Sequence, residues 1–218
     1  MDLPTHIFLL SPARTTGQRA GYVLNDAATF DLALKIRSDA GATIGEVFSF
    51  LSGLYFRGKL TYAQQFACVP RDANRCVGSG ALVITGNQGL VSANTRMSID
   101  DLRRWSGVEI SEKNPVYRMP LERDAVELSD AIGPTGEAVL LGSVATGKYA
   151  DILQSIFGDR LKFPADFVGR GDMSRGGLML RAARANEELH YITLNGAVRH
   201  GRRPPKLEPI QLPRTPCS

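Results

Sequence analysis

The sequence predicts an α/β fold: a three-layer α/β/α domain with a mainly parallel sheet and room for a small helical cap. Two observations predict it. Short apolar runs of strand length alternate with amphipathic stretches of helix length. The runs are hydrophobic throughout, as strands buried on both faces are. Composition agrees: 218 residues, 43% hydrophobic and 22% charged, suit one sizeable globular domain and exclude a disordered chain or a disulfide scaffold.

Residues 5–11 (THIFLLS) read as the first strand, ended by Pro12. A polar loop is expected over Ala13 to Gly21. Helices are expected at 27–36, 44–55 and 59–67, the second with Val47, Phe48, Leu51 and Leu54 on one stripe. These make a long crossover, so residues 39–67 are a candidate helical insertion. Residues 81–85 (ALVIT) are the second strand, broken at once by Gly86-Asn87-Gln88-Gly89.

Ser98 before Asp100 and Asp101 reads as a helix cap. Val108 to Pro120, with two prolines, reads as an extended connection, and 121–132 as a helix stopped by Gly133-Pro134. Then come strand 137–142, helix 148–157, strand 160–163 with a continuation into Phe167-Val168, helix 174–187 capped by Ser174, and an edge strand 190–194. Residues 1–200 form the single domain, and 201–218 a basic, Pro-rich C-terminal tail.

The net charge is +4, and of 26 basic residues 20 are arginine. Arginine presents a planar fork that matches phosphate and carboxylate, so anionic partners are expected. Apolar runs such as Ile7 to Leu10 fall far short of the roughly 20 residues a bilayer needs, so no membrane partner is expected. Cys68, Cys76 and Cys217 form no CxxC pair, and His6, His190 and His200 have no metal-ligand spacing. A Cys68–Cys76 bridge is the alternative to reduced thiols. No metal and no cofactor is expected, and the N-terminus carries no secretory pattern, which points to the cytoplasm.

Ligands of open α/β sheets bind beyond the carboxyl ends of the strands, where strand order reverses. The strand exits here are rich in glycine, hydroxyls and cations. The first carries Ser11, Arg14 and Gln18; the second carries Gln88; the third, Gly142 to Lys148 (GSVATGK), includes Gly142, Ser143 and Lys148. The third matches GxxxxGK, but Tyr149 stands where magnesium needs Ser or Thr. It therefore reads as a plain strand–helix turn or an anion-friendly loop ahead of a nucleotide triphosphatase loop. At the fourth exit Asp172 lies between Arg170 and Arg175, beside Ser174. Asp172 is the candidate acid/base group and the arginines candidate anion holders, with a surface ion-pair cluster as the plainer alternative. Residues 55–62 mix aromatics and cations. They fit a helix turning its aromatics inward better than a single-strand binding surface.

Phe8-Leu9-Leu10-Ser11-Pro12-Ala13-Arg14, Phe56-Arg57-Gly58-Lys59 with Tyr62-Ala63, Val83-Ile84-Thr85 with Gln88-Gly89-Leu90, and Leu141-Gly142-Ser143 with Lys148-Tyr149 and Leu153 carry a resemblance. Their order resembles a small bacterial α/β family of unknown function that opens with a strand and a Ser/Cys loop. It is more faintly similar to peroxide-stress proteins and to uracil-DNA-glycosylase-like domains. The glycosylases' water-activating acid loop and His-Pro-Ser loop are absent, and Arg14 replaces a lysine of the peroxide-stress pattern. The resemblance implies an α/β domain associated with nucleic acid or its bases. The expected function is thus a nucleotide-, nucleobase- or nucleic-acid-directed hydrolase or transferase on an N-glycosidic or phosphate bond, or else a non-catalytic nucleic-acid-binding or adaptor protein using an arginine-rich surface.

Overall fold

The computed structural model describes residues 5–70, 77–145 and 147–207. The chain opens with β1 (His6–Leu10), in which Ile7 to Leu10 are wholly buried. After it come α1 (Gln18–Leu24), α2 (Asp31–Arg37), β2 (Ala42–Thr43), α3 (Ile44–Ser52) and α4 (Leu54–Phe66). Helix α1 begins inside the stretch expected as a polar loop and runs past its end. It buries only Ala20 and Val23, too thin a stripe to register as periodicity. Thr43 and Glu46 close a reciprocal capping box at the start of α3.

Next are β3 (Ala81–Ile84), β4 (Leu90–Ser92), β5 (Arg96–Met97) and α5 (Ile99–Ser106), the last capped by Ser98 as its sequence suggests. Helix α6 (Pro115–Ala131) begins well inside the stretch expected to be extended. Asn114 caps it by accepting the Val116 N–H, and Pro115 takes the first helical position, where a missing N–H costs nothing. Pro120 sits inside the helix, which Tyr117 and Leu121 anchor in the core on either side of it.

The chain closes with β6 (Glu137–Leu141), α7 (Gly147–Phe157), β7 (Leu161–Pro164), α8 (Asp172–Ala185) and β8 (Tyr191–Thr193). The expected continuation of β7 is instead a 3₁₀ turn, Ala165–Phe167. Helix α8 begins at Asp172 with Gly171 as cap, so Ser174 belongs to its first turn and is not the cap.

Strand order is β4-β3-β1-β6-β7-β8. β1 pairs in parallel with β3 and β6, and β6 with β7, while β4 and β8 close the edges antiparallel. This is a mainly parallel sheet within a three-layer α/β fold. The chain steps from β1 to β3 in one direction and from β6 to β7 in the opposite one, which for right-handed crossovers calls for α4 and α7 on opposite faces, and α6 packs along α7. Helix α4 packs on β1 and β3 and along α8. The segment considered as a cap therefore supplies a helix of the covering layer. Strands β2 and β5 form a separate two-stranded sheet.

Tyr62 helps to hold the edge strand β8 to the centre. The Tyr62 hydroxyl lies 2.6 Å from that of Tyr191 and accepts the Leu189 N–H at 2.7 Å. Residues 201–207 run past Gly169 and Gly177, and Arg170 reaches the Pro205 carbonyl at 3.4 Å. The rest of the expected tail, 208–218, lies outside the described residues, as do Cys76 and Cys217; Cys68 is half-buried with a free thiol. Among the described residues no helix is long and apolar enough to cross a membrane.

Candidate functional site

Strand order reverses between β1 and β6, so their carboxyl ends diverge and leave a crevice. A cavity of about 500 Å³ lies there, lined by Ser11, Arg14, Tyr55, Ser143, Lys148, Tyr149 and Asp172 among others. A second hollow of about 560 Å³ adjoins it, with Glu109, Ser111 and Glu112 in its wall. Ala13, Arg14, Ile110 and Lys148 line both, so the two cations stand on the shared ridge.

Ser11 ends β1 and is 6% exposed. Behind it, on α4, lies Lys59, 1% exposed. Its Nζ donates to the Ser11 carbonyl at 2.6 Å and approaches Ser11 Oγ at 2.9 Å. The rings of Tyr55 and Phe56 face the same nitrogen, 4.4 and 4.8 Å from centroid to Nζ. Among the described residues no carboxylate comes within ion-pair distance of it. Burial drives the Lys59 amine from its ordinary 10.5 down to about 7; Asp172 pulls it up and Arg175 pushes it further down.

On the other side of Ser11 is Tyr149 of α7. Its hydroxyl accepts the Ser143 N–H at 3.0 Å, and Ser11 lies near enough to act on its ionisation. Burial raises its pKa, so the phenol stays protonated. Tyr149 occupies the magnesium-ligand position of the GxxxxGK pattern and folds back on the loop, spending the Ser143 amide that a phosphate loop would offer. Gly142 permits this packing, since a Cβ there would lie 2.8 Å from Ser11 Cβ and 3.0 Å from Tyr149 Oη. The Tyr55 hydroxyl is buried in the cavity wall with no hydrogen-bond partner among the described residues; Arg175 is near enough to act on its ionisation but not at bonding geometry.

Of the residues singled out by sequence, Ser11, Arg14, Gly142, Ser143, Lys148 and Asp172 gather at this crevice. The rest do not. Gln18 donates to the Tyr22 hydroxyl at 2.7 Å on the surface of α1. Gln88 is exposed in the β3–β4 hairpin, its N–H bound to Thr85 Oγ1 at 3.0 Å. Arg170 and Ser174 face residues 203–207 across a different groove. Arg175 is 8% exposed and gives two N–H groups to the Phe167 carbonyl at 3.1 and 2.9 Å. It braces the loop before α8 and sits 3.6 Å from Asp172.

Lys59, Tyr55 and Tyr149 are the site residues that sequence reasoning misses. The available signal was periodicity: Tyr55, Phe56, Lys59, Tyr62 and Ala63 share one buried stripe of α4, and a lysine on such a stripe is out of place. Among the described residues, no group of three or more His, Cys, Asp or Glu side chains is arranged to hold a metal ion. Comparison with protein-family models, curated proteins and solved structures returns no match to this chain.

Proposed function

We propose that the chain is a hydrolase or transferase that takes a nucleotide-type anion into this crevice and acts on its phosphate or N-glycosidic bond. The observation that carries the reading is the ridge shared by the two hollows. Arg14 from the β1 exit and Lys148 from the β6 exit both line both cavities. An anionic centre held there has room for a bulky group on either side, as the phosphate of a nucleotide does.

Ile110 offers an apolar wall, Glu109 and Glu112 offer acceptors for amino groups, and Tyr55 offers an unused donor. Asp172 stands at the rim of the Ser11 cavity, exposed enough to exchange protons with water. Anion holding thus falls to Arg14 and Lys148 rather than to Arg170 and Arg175, which are engaged elsewhere.

Thermal-shift and calorimetric titration with nucleosides, nucleoside monophosphates and short oligonucleotides tests this. Phosphate-bearing compounds should stabilise the protein more than the matching nucleosides. Equal, null responses to all of them would sink the reading. Asp172→Asn should abolish turnover of a bound substrate without lowering the melting temperature.

One observation favours the non-catalytic reading. Arg202, Arg203 and Lys206 line a separate groove of about 600 Å³ along the final described segment. A nucleic-acid-binding role there predicts affinity that falls steeply with salt and disappears when the chain is cut before Arg199.

A further inference from the structure

We propose that Ser11 is a covalent nucleophile, that Lys59 is the base taking its proton, and that the group it attacks is a phosphoryl centre held between Arg14 and Lys148. This rests on the reading of the crevice as a nucleotide site and commits it to the phosphate bond.

The first support is position. Ser11 lines the cavity, whereas Lys59 lines neither hollow and lies behind it. A lysine meant to bind an anion, or to attack a carbonyl, would have to reach the ligand itself. Among the described residues its Nζ hydrogen-bonds only the two oxygens of Ser11, at 2.6 and 2.9 Å.

The second is the proton inventory. A buried ammonium is normally matched by a carboxylate, because an unmatched one costs several kcal/mol by order of magnitude. The charged and titratable groups around Lys59 are Asp172 and Arg175 of α8, Tyr55 of its own helix and Tyr149 of α7; the two charges oppose each other in their effect on it. Burial brings the amine down to about 7, so near neutral pH a substantial share of it is neutral and able to accept a proton. A neutral amine has two N–H bonds and one lone pair. The Ser11 carbonyl can only accept, so it takes an N–H. The lone pair is left for the proton of the Ser11 hydroxyl.

The third is restraint. Ser11 and the Tyr149 hydroxyl both pack against Gly142, where an added Cβ would lie 2.8 Å from Ser11 Cβ, 3.1 Å from Ser11 Oγ and 3.0 Å from Tyr149 Oη. A nucleophile with one base and one positioning partner has the arrangement that hydroxyl activation requires.

The chemistry balances as follows. Ser11 Oγ forms a bond to phosphorus, and the bond from phosphorus to the leaving oxygen breaks with its electron pair on that oxygen, which takes a proton from water. The Ser11 proton goes to Lys59 Nζ. Water then attacks the phosphoseryl group, giving a proton to Asp172 and on to solvent. The Oγ–P bond breaks with its electrons on Oγ, and Lys59 returns the proton to Ser11. One water is consumed per ester cleaved.

An alkyl fluorophosphonate is the probe. Its P–F bond breaks, fluoride leaves with the electron pair, and an Oγ–P bond forms. Intact-mass spectrometry should find one adduct per chain, mapped to Ser11 by digestion and absent in Ser11→Ala. The labelling rate of the wild-type chain should rise with pH and level off, with its midpoint near 7. Lys59→Met should label about 100-fold more slowly, or worse. Should that variant fail to fold, the wild-type pH profile still decides. No adduct at Ser11 between pH 6 and 9, or a rate that ignores pH in this range, overturns the proposal. Calorimetry of a nucleoside monophosphate on Ser11→Ala separates the two readings. Binding without any wild-type labelling overturns the nucleophile and keeps the crevice. Labelling without binding keeps the nucleophile and overturns its substrate class.

Discussion

Gly58 of α4 and Gly176 of α8 meet backbone to backbone. A Cβ on Gly58 would lie 2.6 Å from the Gly176 carbonyl oxygen, and one on Gly176 would lie 2.7 Å from the carbonyl oxygen of Leu54. The contact matters because of what flanks it. Lys59 follows Gly58, Arg175 precedes Gly176, and Asp172 is one turn earlier on α8. The glycine crossing is what brings the amine and its two opposing charges into one cluster.

Alanine at either glycine should wedge the helices apart. We expect Gly58→Ala and Gly176→Ala each to cost about 1–3 kcal/mol in chemical denaturation, the range for overpacking a filled core. A cost near zero at both positions would show that the helices can slide without penalty.

The Lys59 amine titrates near 7 in the folded chain and near 10.5 when unfolded. Between those values the unfolded chain binds the extra proton, so the stability contribution of Lys59 rises with pH across that window and is lowest below pH 7. Lys59→Met removes this dependence. Measured against wild type, its melting temperature should therefore compare better at pH 6 than at pH 9. The same offset at both values contradicts the lowered pKa.

Gly142→Ala should push Ser11 and Tyr149 apart, at a cost of about 1–3 kcal/mol. Tyr149→Phe is milder: the Ser143 N–H loses its acceptor but borders a cavity that water can enter, so about 1 kcal/mol is expected. Urea titrations of the two variants check both the sizes and the order.

Arg14→Ala and Lys148→Ala should each weaken binding of a nucleoside monophosphate about tenfold, the loss of one charge-assisted contact. Gln18→Ala and Gln88→Ala should leave it unchanged, since neither side chain lines the crevice. Calorimetric Kd values for the four variants test the division.

The sheet was legible because its central strands are buried on both faces and read as unbroken apolar runs, as in Ile7 to Leu10 and Ala138 to Leu141. The start of α6 was not, because two prolines look like extended chain unless Asn114 is recognised as a cap. Applied to the strand ends, the rule that ligands gather there picked out Ser11, Arg14, Ser143, Lys148 and Asp172, which line one crevice. It also drew in Gln18 and Gln88, since nothing in a loop's composition says which way it faces. Arg170 and Arg175 lie elsewhere for a related reason: a guanidinium that serves backbone carbonyls looks, in sequence, like one awaiting an anion. Lys59 escaped because its partner Ser11 is far away along the chain, and the crossing of α4 over β1 is a tertiary fact.

The hold of Tyr62 on Leu189 and Tyr191 has a mechanical consequence. β8 pairs with β7 over three residues, so a chain pulled from its carboxyl end loads that short ladder once residues 199–207 have come off Asp151, Gly169 and Arg170. The phenol acts as a catch: once it slips, the outermost strand peels away while the parallel centre of the sheet stays intact. Tyr62→Phe should therefore lower the force of the first rupture in single-molecule stretching and leave the later, larger one where it was.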